Sequence, residues 1–208
     1  MRWRALAVYA ALAAVQPALE PVPPPGPGVV EESVRRELAA AHRAVTGSDP
    51  ILQDDPGALA AAYGELGRLY AAYELWDAAR PAFANAARLD PGAPRWHHYL
   101  GHVLERKGDL AGAARHLDEA AKSGPGRAAA RLRRAEIDLA LGRTEAAARA
   151  FRGLTGETGL EAAARFGLGR ALAAAGDPEG AIPELRRALE LQPEASQVHY
   201  ALGQAYRR

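Results

Sequence analysis

The sequence predicts an all-α protein built as a solenoid of repeated helix-turn-helix units. Residues of the same kind recur every 34 positions over residues 58–208, and a fixed period of this length is typical of repeat architectures. Within each period, apolar residues lie three and four positions apart, as they do on one face of an α-helix. Alanine, which favours helix, accounts for 50 of the 208 residues.

The composition excludes several classes of protein. Charged residues make up 25% and hydrophobic residues 49% of the chain, which is typical of a globular protein. The chain has no cysteine, so disulfides, zinc–thiolate sites, lipid-modified cysteine and cysteine catalysis are excluded. The net charge of +1 gives no general attraction to nucleic acid or to an anionic membrane. We therefore predict no nucleic-acid partner.

Residues 1–18 are predicted to be a signal peptide. Met1–Arg4 is basic, Ala5–Val15 is apolar and uncharged, and Ala11–Ala13 offers a small-x-small cleavage site. Those apolar residues would span about 16 Å as a helix, against about 30 Å for a bilayer core, so we predict no transmembrane segment. We expect a periplasmic or secreted bacterial protein that begins near Ala14. The alternative is the N-terminal helix of a cytoplasmic protein.

Two short regions separate this segment from the repeats. Residues 19–28 form a Pro-rich linker, because the prolines within 21–28 prevent helix and favour an extended spacer. A ligand for a proline-binding domain is the alternative. Residues 29–55 should form an N-terminal capping helix and a loop, since a terminal repeat otherwise exposes its apolar face. The helix is predicted at Glu31–Val45, with Val34, Leu38, Ala41 and Val45 on one face.

The repeats are aligned by small residues at fixed spacing. A glycine or alanine recurs every 34 residues, at Gly67, Gly101, Ala135, Gly169 and Gly203. Alanines recur in the same way further along each unit, at Ala79, Ala113, Ala147 and Ala181. A phenylalanine or leucine follows each of these alanines by four residues, at Phe83, Leu117, Phe151 and Leu185. The resulting units are 60–93, 94–127, 128–161, 162–195 and a half unit at 196–208.

This pattern resembles the tetratricopeptide repeat (TPR) family, in which each unit has a helix A and a helix B. The resemblance implies a right-handed α-solenoid, with the TPR array over residues 56–208. The turns agree with this, because a glycine at 108, 142 and 176 is placed to end helix A in a left-handed conformation. Asp109, Thr144 and Asp177 follow and are predicted to cap helix B. Pro81 and Pro183 lie early in helix B, where they should distort the helix without breaking it.

The resemblance also implies a concave groove lined by helix A. Arginine and aromatic side chains are common binding anchors, so the groove should take a protein or peptide with acidic or aromatic residues. The candidate partner-binding residues are Arg68, Arg95, His98, Tyr99, His102, Glu105, Glu136, Phe166, Arg170, Tyr200 and Gln204. A solvated helix face is the alternative. One TPR subfamily grips peptide carboxylates with asparagine and lysine at these positions, and this chain lacks that pattern.

The remaining polar clusters point to no catalytic chemistry. His98, His102 and Glu105 share a helical face and are weak metal candidates, but no further ligand is secured, so we predict no metal and no cofactor. No catalytic or nucleotide-binding motif is present, and we predict that the chain is not an enzyme. The predicted function is a non-catalytic scaffold that binds a protein segment in its groove. The alternatives are a spacer or assembly portion of a larger exported complex, or a metal-binding accessory protein.

The third unit departs from the pattern at three positions. Arg134 and Asp138 stand where the other units carry leucine or tyrosine, and Arg131 replaces the aromatic residue that is usual in the family pattern. Arg134 and Asp138 are four residues apart and can meet on one helical face. We predict that both face the seam between helices and pair with each other, because pairing lowers the cost of burying charge. The alternative is a rotated helix that turns both charges outward.

Overall fold

The computed structural model describes residues 18–26, 31–47 and 50–207, and within these ranges every regular element is helical. The prediction of a signal peptide and that of its cleavage site fall almost wholly on residues outside this description. The helices are α1 (Glu32–Thr46), α2 (Pro50–Gln53), α3 (Pro56–Ala72), α4 (Trp76–Leu89), α5 (Pro94–Arg106), α6 (Leu110–Ala120), α7 (Arg127–Ala140), α8 (Thr144–Arg152), α9 (Glu161–Ala174), α10 (Pro178–Leu191) and α11 (Ser196–Ala205). None of the described helices is long and apolar enough to span a bilayer.

The structure confirms the predicted all-α solenoid. Helices α3/α4, α5/α6, α7/α8 and α9/α10 are antiparallel neighbours, and each pair packs on the next. The recurring glycine permits close approach within a pair: a Cβ on Gly169 of α9 would lie 2.6 Å from Cγ of Leu185 on α10. No side chain fits at that distance, so a small residue at this register sets the spacing between the two helices.

The N-terminal helix lies where the sequence predicts it. Helix α1 packs against α3 and buries Leu38 and Val45, while Val34 and Ala41 are partly buried against the same core. The predicted loop before α3 contains the short helix α2. Asp55 caps α3 by accepting hydrogen bonds from the backbone N–H groups of Gly57 and Ala58.

Helix starts follow the predicted chemistry in two units and depart from it in the third. Asp109 accepts a hydrogen bond from Gly112 N at 2.8 Å, and Asp177 does so from Gly180 N at 2.8 Å. The prediction that Thr144 caps α8 is wrong, because the helix already begins at Thr144 and its N-cap residue is Arg143. Pro81 and Pro183 lie inside α4 and α10, which continue through them, as predicted.

The turns between helix A and helix B contain a left-handed residue, as the sequence predicts. Gly108, Gly142 and Gly176 have φ of +82°, +73° and +86°. The equivalent residue of the first unit is Glu74, with φ +57°. An L-residue pays a steric cost in this region and glycine does not, so the turn geometry belongs to the repeat and glycine is the residue that suits it.

Replacing Gly142 by alanine should therefore lower the free energy of unfolding by about 1 kcal/mol. An added Cβ at Gly142 would meet no atom within 4 Å, so the cost comes from the backbone alone. Gly156→Ala is the matched control, because its Cβ also meets nothing and its φ is not positive. Urea unfolding followed by circular dichroism measures both variants. Equal stability of the two would contradict the prediction.

Residues 18–26 pack against the array. The sequence predicts a spacer here and does not predict these contacts. The segment has no regular secondary structure and contacts α1, α3 and α4, and within it Val22 is buried and Leu19 is partly buried. Tyr70 on α3 donates its hydroxyl to the carbonyl oxygen of Pro23 at 2.9 Å. These nine residues are therefore part of the folded unit.

Candidate functional site

The groove candidates of the last two units lie together around one cavity. This C-terminal groove has a volume of about 950 Å³ and is bordered by α7, α9 and α11. Its lining includes the predicted residues Phe166, Arg170, Tyr200 and Gln204, and also Leu139, Ala173, Ala174, Leu185, Ser196, Gln197, Ala201 and Ala205. Apolar walls with a few polar groups are typical of binding grooves.

The polar groups of the C-terminal groove are available for a partner. The Arg170 guanidinium lies 5.4 Å from the centre of the Phe166 ring, a cation–π distance, and the arginine is exposed. In the described part of the chain, no carboxylate lies within ion-pair distance of Arg170. Tyr200 is 68% exposed, and Gln204 donates a hydrogen bond from Nε2 to its hydroxyl at 2.9 Å. Among the described residues, the groove thus presents a cation that has no carboxylate partner and lies over the Phe166 ring, and Tyr200 lines the same cavity.

The middle of the array has a different character, because its charged groups lie close to one another. Arg133 on α7 donates to Glu136 at 2.9 Å and lies 3.9 Å from Oε2 of Glu105 on α5. Its other terminal nitrogen lies 3.5 Å from Nδ1 of His102. We call these four residues the central polar cluster. Glu105, Glu136 and His102 were predicted as partner-binding residues, and here they bind an arginine of the same chain.

The two groove histidines favour the neutral state. Burial lowers the pKa of His98 and of His102, and the positive charge of Arg133 lowers both further. A neutral His102 can accept at Nδ1 from the arginine. The metal candidates His98, His102 and Glu105 do not form a site with a further ligand: in the described residues, no group of three or more His, Asp or Glu side chains is arranged to hold a metal ion.

The candidate residues of the first unit and of the start of the second have different surroundings. Arg68 is paired with Glu65 at 3.0 Å, three residues away on its own helix. Tyr99 stacks on Phe83, with ring centres 5.2 Å apart, and so contributes to the core. Arg95, whose guanidinium lies 4.3 Å from the centre of the Trp96 ring, borders a small cavity of about 230 Å³ together with His98.

The structure also places functional residues that the sequence analysis did not single out. Leu139 and Gln197 line the C-terminal groove, and both occupy helix A positions that the family resemblance assigns to the concave face. Trp76 on α4 contacts His102 edge-on at 6.0 Å and lies 5.3 Å under the Arg106 guanidinium. Trp76 belongs to a helix B, so the repeat positions contained no signal for it.

The charged residues of the third unit form an ion network at the seam. Arg134 pairs with Asp138 at 2.5 Å, as predicted, and Asp138 is only 8% exposed. Asp118 from α6 lies 3.0 Å from Nε of Arg134, and Arg143 lies 3.3 Å from Asp138. The pairing with Asp138 holds the pKa of Arg134 above its usual value. Helix α7 is not rotated, and its charges join it to α6 and to the start of α8.

Stability should fall as the pH is lowered below neutrality. Burial lowers the folded-state pKa of His98, His102 and His116 below the unfolded value of 6.5. Above 6.5 both states are neutral; below it the unfolded chain takes up protons first, so folding loses free energy until the lowered pKa is reached. Urea midpoints at pH 7.5 and 5.5 measure this. His116→Gln should reduce the difference, and an equal or higher midpoint at pH 5.5 would contradict the prediction.

Comparison with known families gives a match over most of the chain. The family model described as "Tetratricopeptide repeat" matches residues 64–128, 132–193 and 172–208. No curated protein sequence matches the chain.

Several solved structures share the fold. A MamA structure from Desulfovibrio magneticus RS-1, from residue 41 onward, is 22% identical with a TM-score of 0.65 and covers 70% of this chain and 82% of its own. YrrB, described as a TPR protein with an unusual peptide-binding site, is 24% identical with a TM-score of 0.66. The match covers 81% of this chain and 87% of YrrB. A structure of nearly identical TPR-like repeats, from a Podosopora anserina protein described as a kinesin light chain, is 19% identical with a TM-score of 0.61. The match covers 84% of this chain and 90% of that one.

Proposed function

Because the chain belongs to the tetratricopeptide repeat family, we propose that it is a non-catalytic interaction protein that holds a segment of a partner protein in its C-terminal groove. The observation that carries this proposal is the exposed Arg170, which has no ion-pair partner among the described residues and shares a cavity of about 950 Å³ with Phe166 and Tyr200. The other arginine at the same repeat position, Arg68, is already paired with Glu65.

The chemistry of the groove defines the partner class. An unpaired guanidinium favours a carboxylate, which it can bind through two parallel hydrogen bonds. The exposed Tyr200 ring and the Phe166 ring favour apolar or aromatic side chains beside that carboxylate. A peptide with an acidic residue next to an aromatic one fits both features. The preformed walls lower the ordering cost of binding, since the repeats fix the helices before the partner arrives.

The test is selection of peptides from a random-sequence library on the wild-type chain, followed by affinity measurement with variants. Arg170→Glu should weaken binding of the selected peptides by at least about tenfold, because it replaces a charged hydrogen bond with repulsion. Arg68→Gln is the matched control at the same repeat position, and it should leave affinity unchanged. Equal affinity of the wild type and Arg170→Glu would show that the partner binds elsewhere.

Export belongs to the same proposal. It is supported by the basic start of the sequence and by the apolar run at 5–15, which together are typical of a signal peptide. A periplasmic or secreted location would present the groove to extracytoplasmic proteins.

A further inference from the structure

The segment 18–26 is bound by the array as a peptide would be. It has no regular secondary structure, and helices α1, α3 and α4 contribute its polar contacts. The residues that contact it come from helices of the array, 20 to 70 positions away in sequence. We call this surface the Asn85 cleft; it is formed by His42, Tyr70, Arg80, Asn85 and Arg88. It differs from the C-terminal groove in both location and chemistry.

Asn85 recognises the backbone of the segment. Its side chain is fully buried, although the core residues of α4 on either side of it are apolar. Asn85 Oδ1 accepts a hydrogen bond from Glu20 N at 2.7 Å, and Nδ2 donates to Glu20 O at 2.8 Å. A side-chain amide that pairs with both groups of one residue selects an extended backbone. A buried amide without these partners would be costly, so Asn85 favours occupation of the cleft by a peptide backbone.

The other contacts of the cleft are mainly donors to backbone carbonyls. His42 donates from Nε2 to Val22 O at 2.8 Å, and Tyr70 donates its hydroxyl to Pro23 O at 2.9 Å. Arg88 donates to Ala18 O. Among the described residues, the N–H of Glu20 is the one backbone donor of the segment that is bound, so a ligand can carry proline, which has no N–H, at neighbouring positions. Proline also holds the chain extended before binding, which lowers the entropic cost.

Two side chains of the segment add selectivity. The Glu20 carboxylate lies 2.8 Å from Nη1 of Arg80 and 3.5 Å from Nη2 of Arg88. Val22, two residues later, is 8% exposed and packs in the same core as Leu38 and Tyr70. Pro21, Pro23 and Pro24 face solvent. The cleft therefore binds a glutamate and, two positions after it, a small aliphatic residue, both on an extended proline-rich backbone.

We propose that the Asn85 cleft is a second peptide-binding site, which takes an extended, proline-containing partner segment with a glutamate two residues before a small aliphatic residue. Residues 18–26 are its tethered ligand. A partner segment of the same chemistry replaces them. The tether gives the resident segment a millimolar effective concentration, so it sets a threshold that the partner's affinity must exceed.

The test uses the full-length chain and a labelled synthetic peptide with the sequence of residues 18–26. Glu20→Arg places a cation against Arg80 and Arg88 and should release the resident segment. The peptide should then bind at least about tenfold more tightly than it binds the wild-type chain. Adding Asn85→Leu to that variant should reverse the gain by about tenfold or more, because two hydrogen bonds to the peptide backbone are lost. Arg149→Glu added instead is the charge control and should leave binding unchanged.

Failure of Glu20→Arg to bind the peptide more tightly would overturn the proposal, as would binding that persists with Asn85→Leu. The first outcome would make the segment a brace of the fold, and the second would show that the peptide binds outside the Asn85 cleft. A second measurement needs no change within the cleft. The chain has no cysteine, so Ala18→Cys accepts a single spin label on the otherwise wild-type chain.

Unlabelled peptide up to about 10 mM, above the millimolar tether concentration, should then increase the mobility of the label in its electron paramagnetic resonance spectrum. The same peptide with arginine in place of its glutamate should not. An unchanged spectrum with the first peptide would also overturn the proposal.

Discussion

Replacing Phe151 by alanine should lower the free energy of unfolding by about 3–5 kcal/mol, the range for removing a buried aromatic ring. Phe151 on α8 is 1% exposed, and its ring fills the space above Gly167 on α9. It belongs to the cluster that joins the third and fourth units. Because each repeat contacts only its neighbours, losing this contact uncouples two adjacent units. Urea unfolding monitored by circular dichroism measures the effect.

Phe151→Leu is the matched control for this prediction. Leucine occupies the same register in the second and fourth units, at Leu117 and Leu185, so the solenoid accommodates it. We expect a cost of about 1–1.5 kcal/mol for this change of shape. The alanine variant should also weaken peptide binding in the C-terminal groove, since Leu139 and Phe166 come from the two uncoupled units. Equal costs of leucine and alanine would show that this position does not couple the units.

Replacing Asp138 by alanine should cost about 2–3 kcal/mol, because it removes a partly buried carboxylate that neutralises two arginines. Arg134 keeps Asp118 at 3.0 Å, so the loss should be smaller than for a fully stranded charge. Thermal or urea unfolding of the single variant measures it. A change within about 0.5 kcal/mol, the ordinary surface range, would contradict the view that this pair stabilises the seam.

The double variant Arg134→Leu, Asp138→Leu separates burial from pairing. The second unit carries Leu100 and Leu104 at these registers, so the geometry suits leucine. Replacing an ion pair by packed apolar residues is commonly neutral or stabilising, and we expect the double variant to be at least as stable as the wild type. Asp118 and Arg143 stay hydrated, with side chains 59% and 55% exposed. A double variant less stable than Asp138→Ala would show that the network does more than satisfy its own charges.

Most of the fold follows from local sequence. The 34-residue period fixes which helices pair, and the small residue in each helix A fixes how closely they approach. The left-handed turn at Gly142 follows from the same register, because glycine there is free of steric cost. Thr144 shows the limit of this reasoning. The sequence alone does not distinguish a threonine at the N-cap from a threonine one position later, and here the N-cap residue is Arg143.

The candidate site was predictable in part. The repeat register placed Phe166, Arg170, Tyr200 and Gln204 on one surface, and the structure gathers them around one cavity. The same register gave equal weight to Arg68 and Glu136. It contains no information on which charged groups find partners within the chain, and these two do. Both pairs join residues three positions apart on one helix, a spacing that is visible in the sequence. The contacts of Arg133 with His102 and Glu105 cross between helices, and only packing brings those groups together.

The helical repeat, its register, the turn glycines and the pairing of Arg134 with Asp138 are predictable from sequence, because each depends on spacing along one helix or one period. Which groove residues have charged partners on other helices depends on packing, since packing brings Arg133 of α7 to His102 and Glu105 of α5. Packing also decides the place of residues 18–26. Their composition predicts an extended chain, whereas the partners that hold it, such as Asn85 and Tyr70, lie up to 65 residues away. Contacts at such separations have no period in the sequence and form only when the helices pack.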